Sequence, residues 1–305
     1  MWSIYNEPNH PLFVSPQRAK GVLTSPSLYR ALYRAGWKSL AGTGHKRDTI
    51  LIGETSPRGN SNVVAPLRFL RGMLCLDARY KKRPKCGALD ADGYAHHAYT
   101  TRQGPFFRPA QKDDVTIGVL SRLTGALDRA KAAGALRTRL PIYLTEFGIQ
   151  STPDTQQGVS LVQQVQYRAI AERIAWSNPR VVAFSQYLLR DSDPTGNKQY
   201  GGFESGLRFS DGKPKPSLPA FRLPLAVKQT GSTVSIWGLV RPATGVTTAT
   251  ITYADRGSSR FKPLRTVTTD SHGYFTVGSN WRRGRRWNIT WQGASGTPVA
   301  SYTGR

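Results

Sequence analysis

Over the first two-thirds of the chain, short apolar runs alternate with stretches whose apolar residues recur at helical spacing. Trp2 to Tyr5 is a brief apolar run that ends in Asn6-Glu7-Pro8-Asn9. Residues 26–40 bring Leu28, Tyr29, Leu32, Ala35 and Leu40 close to a helical period, and Gly42 and Gly44 supply stop signals. Thr49 to Glu54 is a buried-strand run with a turn-rich segment after it. Residues 63–76 return to helical spacing, and Gly93 to Tyr99 is the next strand. The pattern repeats with a helix over 114–133, a strand over Leu140 to Glu146, a helix over 159–177 and a strand over Val181 to Tyr187. Five strands separated by helices predict a parallel sheet or a β/α barrel.

The texture then changes. Four prolines fall within residues 214–224, which few packed elements tolerate, so Asp211 to Pro224 reads as a linker. Beyond it come short alternating runs at Thr233–Trp237, Thr248–Tyr253, Thr266–Thr268, Tyr274–Val277 and Trp287–Trp291, separated by glycine-containing turns. That spacing predicts a β-sandwich of immunoglobulin or fibronectin type. The expected division is therefore a β/α domain over 1–222 and an all-β domain over 223–305.

In parallel β/α folds the chemistry collects at the C-terminal ends of the strands. Here each of those ends is polar: Asn6 and Glu7, Glu54, His96 to Tyr99, Glu146, and Gln186 with Arg190 and Asp191. Three of the five glutamates in the chain lie there. Two carboxylates facing one pocket can divide the labour of nucleophile and proton donor when their surroundings separate their pKa values, and glycoside hydrolysis needs such a pair.

The motifs carry a family resemblance. Ile4-Tyr5-Asn6-Glu7-Pro8-Asn9 resembles the fourth-strand motif of the clan A glycoside hydrolases, and Leu144-Thr145-Glu146-Phe147-Gly148 resembles the seventh-strand nucleophile motif. His96-His97-Ala98-Tyr99 is similar to the sixth-strand segment. Gly206-Leu207-Arg208 and the run from Asp211 to Pro216 resemble the segment after strand eight in families 5 and 39. The resemblance covers residues 1–222. It implies Glu7 as general acid/base, Glu146 as nucleophile, Asn6 as partner of the sugar 2-hydroxyl, and either Tyr99 or His97 orienting Glu146. Glu54 is read as a substrate contact or a structural ion pair. Tyr187 stands where the clan commonly has a tryptophan platform.

The implied fold is strands four to eight of a (β/α)8 barrel with the β-sandwich after it. The implied activity is retaining hydrolysis of O-glycosidic bonds in oligo- or polysaccharide, with no cofactor and no metal. Three preceding β/α units and an export signal are expected upstream of the Asn-Glu-Pro strand. The resemblance does not fix the activity of a chain lacking those units, and the alternative function is a non-catalytic carbohydrate-binding or cell-surface module.

Composition narrows the partners. The 31 aromatic residues (11 Phe, 13 Tyr, 7 Trp) exclude a disordered chain, and no apolar run approaches the length of a membrane helix. The net charge is +25, from 43 basic and 18 acidic side chains. Spread over a solvated surface, it predicts no specific nucleic-acid partner and leaves room for an anionic glycan. Trp281 to Trp287, with four arginines between its tryptophans, reads as a solvated hairpin tip. Cys75 and Cys86 have ten residues between them and fit no zinc site. As a disulfide they would stabilise the fold by roughly 3 kcal/mol and point to an oxidising, extracellular setting.

Overall fold

Successive parallel strands with helices between them form the first part of the computed structural model, which describes residues 1–193 and 202–304. The order is β1 (Trp2–Ser3), a small hairpin β2 (Arg18–Ala19) and β3 (Val22–Leu23), α1 (Ser25–Gly42), β4 (Ile50–Thr55), α2 (Pro66–Met73) and β5 (Gly93–His97). A 3-10 turn at Ile117–Val119 leads into α3 (Ser121–Ala132), then β6 (Ile142–Phe147), α4 (Leu161–Trp176) and β7 (Val181–Gln186). β1, β4, β5, β6 and β7 lie side by side in that order, every pair parallel, as a curled five-stranded sheet. All six residues of β4 are buried, as expected of a strand covered on both faces.

The chain divides into two compact units. One holds Met1–Thr100, Phe107–Phe147 and Ala175–Gln186, and therefore the whole parallel sheet. The other holds Thr101–Phe106, Gly148–Ile174 and Tyr187–Arg305.

In the first unit α1 buries only part of the stripe its sequence suggests. Tyr29 is buried, together with Tyr33, Ser25 and Pro26, whereas Leu28 and Leu32 are exposed. The tyrosine hydroxyls explain the choice. Tyr29 Oη accepts from Gly53 N at 2.9 Å, and Tyr33 Oη donates to Asp90 O at 2.8 Å. Two aromatic rings thus fill the space beneath the sheet while their polar ends satisfy backbone groups that would otherwise be buried unpaired.

The second unit carries α5 (Ser217–Arg222) and β8 (Leu225–Thr230), β9 (Thr233–Leu239), β10 (Thr248–Ala254), β11 (Lys262–Thr268), β12 (Tyr274–Asn280), β13 (Arg286–Trp291), β14 (Ala294–Ser295) and β15 (Val299–Tyr302). Their pairing runs β11-β10-β13-β15-β8-β9-β12, with β14 on β13. Every pair is antiparallel except β15 with β8. The expected sandwich is thus one hydrogen-bonded path, a largely antiparallel, barrel-like sheet. Its core includes Val227, Ile236, Ile251, Phe275, Trp287 and Ile289. Ala169 and Ile170 of α4 pack with Trp237.

Two sequence expectations fail here for identifiable reasons. The proline-rich stretch is a packed segment containing α5, and it sends Lys215 into a fully buried position where Nζ bonds Asp191, Ser151 Oγ and Glu204 O. Residues 281–285 are no hairpin tip, because β12 pairs with β9 while β13 pairs with β10 and β15. Arg285 there is buried, bonded to Asp255 at 2.8 Å and stacked 4.1 Å over the Tyr253 ring.

Candidate active site

Five of the polar residues singled out by sequence come together at the C-terminal edge of the parallel sheet: Glu7 after β1, Glu54 in β4, His97 ending β5, Tyr99 beyond it, and Glu146 in β6. Strand alternation alone would not aim them at one point, and two bulges do so. In β4, Leu51, Ile52 and Gly53 pair in step with Gly93, Tyr94 and Ala95, but the next pair is Thr55 with His96. Glu54 is the extra residue, reached through Gly53 at φ +115° and itself at φ +47°. A side chain on Gly53 would put its Cβ 2.7 Å from Ala95 O, so glycine is the residue that fits. In β6, Tyr143 faces Ala95 and Glu146 faces His97, three residues against two. Bulges of this kind re-aim side chains beside functional sites.

His97 is the hub. Its Nδ1 lies 2.8 Å from Glu7 Oε1 and 3.5 Å from Glu146 Oε2, and its Nε2 lies 2.7 Å from Glu54 Oε2. With carboxylates on both ring nitrogens, both must donate, which makes the ring an imidazolium. Glu54 also accepts from Thr145 Oγ1 at 2.6 Å, and Tyr99 Oη donates to Glu146 Oε2 at 3.0 Å. The Glu7 and Glu146 oxygens that share Nδ1 are separated by no more than the sum of their distances to it, about 6 Å, against about 5–5.5 Å between the carboxyl groups of retaining glycosidases.

Exposure sorts the groups. The side chains of Glu7 and Glu146 are 17% and 25% exposed, whereas Glu54 is 8% and His97 1%. A solute can reach the first two; Glu54 and His97 stand behind them. Glu54 is mostly buried and stands in an ion pair with His97.

The electrostatics reflect this layering. Burial disfavours the His97 charge, but hydrogen bonds to Glu54 and Glu7 and the negative charges of Glu146 and Glu54 outweigh it, raising its pKa to about 9. Burial also pushes Glu54 up, yet the hydrogen bonds from His97, Ser3 and Thr145, with the His97 charge, hold it below the usual carboxylate range. Glu146 goes the other way. Burial raises it, and the charges of Glu7 and Glu54 add to that, exceeding the pull of His97 and Tyr99.

The neighbouring His96 points away from the cluster. It is fully buried, with Nε2 donating to Val115 O at 2.8 Å and Nδ1 accepting from Thr55 Oγ1 at 2.9 Å. Burial drops its pKa to about 4, so it is neutral. Adjacent histidines on one strand thus differ in charge, His96 neutral and His97 cationic. Glu7 and Glu54 both take positive φ, at 35° and 47°, conformations costing on the order of 1–3 kcal/mol that concentrate where a site is held under strain.

Asn6 is exposed beside Glu7. Tyr187 belongs to the second compact unit, where its ring meets Phe203 edge-on at 5.2 Å. Sequence reasoning passed over Asn9, which is fully buried and clamps the chain after β4: its Nδ2 donates to Ser56 Oγ and Val64 O, each at 2.8 Å, and its Oδ1 accepts from Ser56 N at 2.9 Å. Only its place after Glu7-Pro8 could have suggested such a role. Cys75 and Cys86 are joined as a disulfide. Among the described residues no group of His, Cys, Asp and Glu could hold a metal ion, and no helix is long and apolar enough to cross a membrane.

No protein-family model matches the chain, and no curated protein matches it. Among solved structures, it is similar to a family 51 α-L-arabinofuranosidase from Bifidobacterium longum (13% identity, TM-score 0.44), covering 92% of this chain and 67% of that one. It is also similar to a family 44 xyloglucanase from Paenibacillus polymyxa (12% identity, TM-score 0.42; 94% and 65% covered). A third is a β-glucuronidase from Ruminococcus gnavus (14% identity, TM-score 0.39; 69% and 30% covered). The chain thus spans about two thirds of the first two and under a third of the last.

Proposed function

We propose that the Glu7–His97–Glu146 cluster is the centre of a retaining O-glycoside hydrolase acting on oligo- or polysaccharide, and that the parallel sheet corresponds to strands four to eight of a (β/α)8 barrel. The observation that carries this reading is the convergence of two solvent-reachable carboxylates on one imidazole nitrogen, Nδ1 of His97, at 2.8 and 3.5 Å.

The roles depend on which oxygens are left free. Tyr99 occupies Glu146 Oε2, so Oε1 is the oxygen available to attack the anomeric carbon and form the glycosyl-enzyme bond. His97 occupies Glu7 Oε1, leaving Oε2 to pass a proton to the departing oxygen and later take one from water. The imidazolium tempers the negative charge of three carboxylates. Asn6, exposed next to Glu7, would meet a substrate hydroxyl in this reading. The β-rich stretch 223–305 is an accessory domain in this reading, and the disulfide fits an extracellular setting.

The test uses 4-nitrophenyl glycosides of common hexoses and pentoses. Glu146→Gln should abolish turnover, and Glu7→Ala should regain it with azide, releasing a glycosyl azide of retained configuration. Unchanged turnover by Glu146→Gln would overturn the proposal. Glycan binding without hydrolysis by the protein carrying the three preceding β/α units would replace it with a carbohydrate-binding module.

A further inference from the structure

A second charged concavity lies in the first unit, at the opposite edge of the sheet from Glu7 and Glu146. It is a cleft of about 490 Å³ between α1, the loop closed by the disulfide, and the chain entering β5, within the roughly 300–1,000 Å³ typical of small-ligand sites. From α1 it takes Arg30, Tyr33, Arg34 and Trp37, whose spacing of three, four and seven residues puts them on one helix face. Lys85 and Arg137 complete the wall.

The charges in it do not balance. Asp90, the acidic residue lining it, is engaged by Arg137 at 2.6 Å. The nearby Asp92 is occupied by the backbone N–H of Ile50 at 2.8 Å. Arg34 and Lys85 have no carboxylate partner among the described residues. Arg30 is committed to the carbonyls of Met73 and Gly87, at 2.8 and 2.6 Å, so its charge is held in place without being neutralised. Burial and the facing Arg34 both disfavour that charge, and an anion would relieve both.

The site is also built rather than incidental. Lys85 sits at φ +59°, a conformation non-glycine residues rarely adopt, one residue before the disulfide cysteine Cys86. Arg30 ties that loop to α1 through Gly87 O. The half-buried Trp37, with Tyr33 beneath it at a ring separation of 6.2 Å, adds an aromatic wall.

We infer that this cleft is a second carbohydrate site that binds a sugar chain bearing carboxylate or sulfate groups. Cationic side chains meet the acidic substituents, Trp37 meets the C–H-rich face of a ring, and the Asp90 carboxylate accepts from hydroxyls. The Asp90 acceptor within a cationic lining suits a ligand with hydroxyl donors beside its anionic groups, as an acidic polyol has. The inference is independent of hydrolysis at Glu7 and Glu146.

Calorimetric titration of the full chain would use tetragalacturonate, a heparin-derived tetrasaccharide, neutral cellotetraose and a short thymidine oligonucleotide. At least one acidic oligosaccharide should bind with affinity that weakens as salt rises, and whichever is tighter identifies carboxylate or sulfate as the preferred group. Arg34→Glu and, separately, Lys85→Glu should weaken that binding about tenfold, Trp37→Ala should weaken it several-fold, and Glu146→Gln should leave it unchanged. Arg34 is exposed on a helix, so its variant keeps the test valid should the loop variant fail to fold. No binding of either acidic oligosaccharide, equal binding of cellotetraose, tighter binding of the oligonucleotide, or loss of binding in Glu146→Gln would each overturn the inference.

Discussion

Two buried cations, His97 in the first unit and Lys215 in the second, show what access to solvent does to a polar cluster. Lys215 is wholly enclosed, with Nζ 2.8 and 2.7 Å from the two Asp191 oxygens and capped by Ser151 Oγ and Glu204 O. One cation meets one buried carboxylate, and neither side chain is more than 3% exposed. His97 is equally buried but faces Glu7, Glu54 and Glu146, two of which reach solvent. The Lys215 cluster is closed off from solvent, with the buried Glu204 and Asp154 carboxylates near its ion pair, and it holds chain segments together. The His97 cluster sets two of its carboxylates beside an opening.

The sharpest way to break this comparison is to exchange the outcomes. Glu146→Gln should lower turnover by about 10⁴ or more while leaving the urea-unfolding midpoint close to that of the parent. Lys215→Met should do the reverse at the level of stability. It strands the Asp191 charge, so unfolding free energy should fall by about 3–5 kcal/mol in urea titrations. Adding Asp191→Leu should recover much of that loss, because an apolar pair of similar volume replaces an ion pair at little net cost. Unfolding of Lys215→Met at the parental midpoint would mean the two clusters do not differ as argued.

Acidity gives a finer contrast. The His97 pKa rises on folding from an ordinary 6.5 to about 9. A group raised in this way contributes stability that is complete below its unfolded value and lost as pH climbs through its folded one. Stability should therefore decline between about pH 6.5 and 9, by up to the order of 3 kcal/mol, and turnover should fall on the alkaline side near pH 9. Glu54→Gln removes the first bond that holds the ring charged, so both the alkaline limb and the His97 ¹⁵N titration should move to lower pH. A titration unmoved by that change would detach Glu54 from the hub. The smallest expected effect is on Glu146, whose pKa is raised by burial and by the Glu7 charge among others. Glu7→Gln should lower it, as read from the ¹³C carboxyl shift of Glu146.

The parallel strands were legible because buried runs such as Ile50-Leu51-Ile52 stand out in any window, and their polar ends marked where to look. The aim of Glu54 was not legible. A bulge is a mismatch of register between β4 and β5; the glycine inside the Ile50–Thr55 run is its one local sign, and it does not say which residue becomes the extra one. The stretch around Lys215 misled for a related reason: prolines argue against regular structure but not against packing, and a lysine reads as exposed until its acidic partner is known. β8 and β15 were passed over because Leu225–Thr230 adjoins a proline-rich segment and Val299–Tyr302 is short. Their parallel pairing joins chain segments over 70 residues apart, and a short apolar run gives no hint of so distant a partner.

The paired bulges make residue count as consequential as residue identity. Deleting Gly53 would let β4 pair in regular step with β5 and would rotate Glu54 away from His97 without changing a single functional side chain. Any library built to retune this centre should therefore keep the length of β4 and β6 fixed and hold Gly53, Glu54, Thr145 and Glu146 constant, since a one-residue indel there is a change of geometry disguised as a change of sequence.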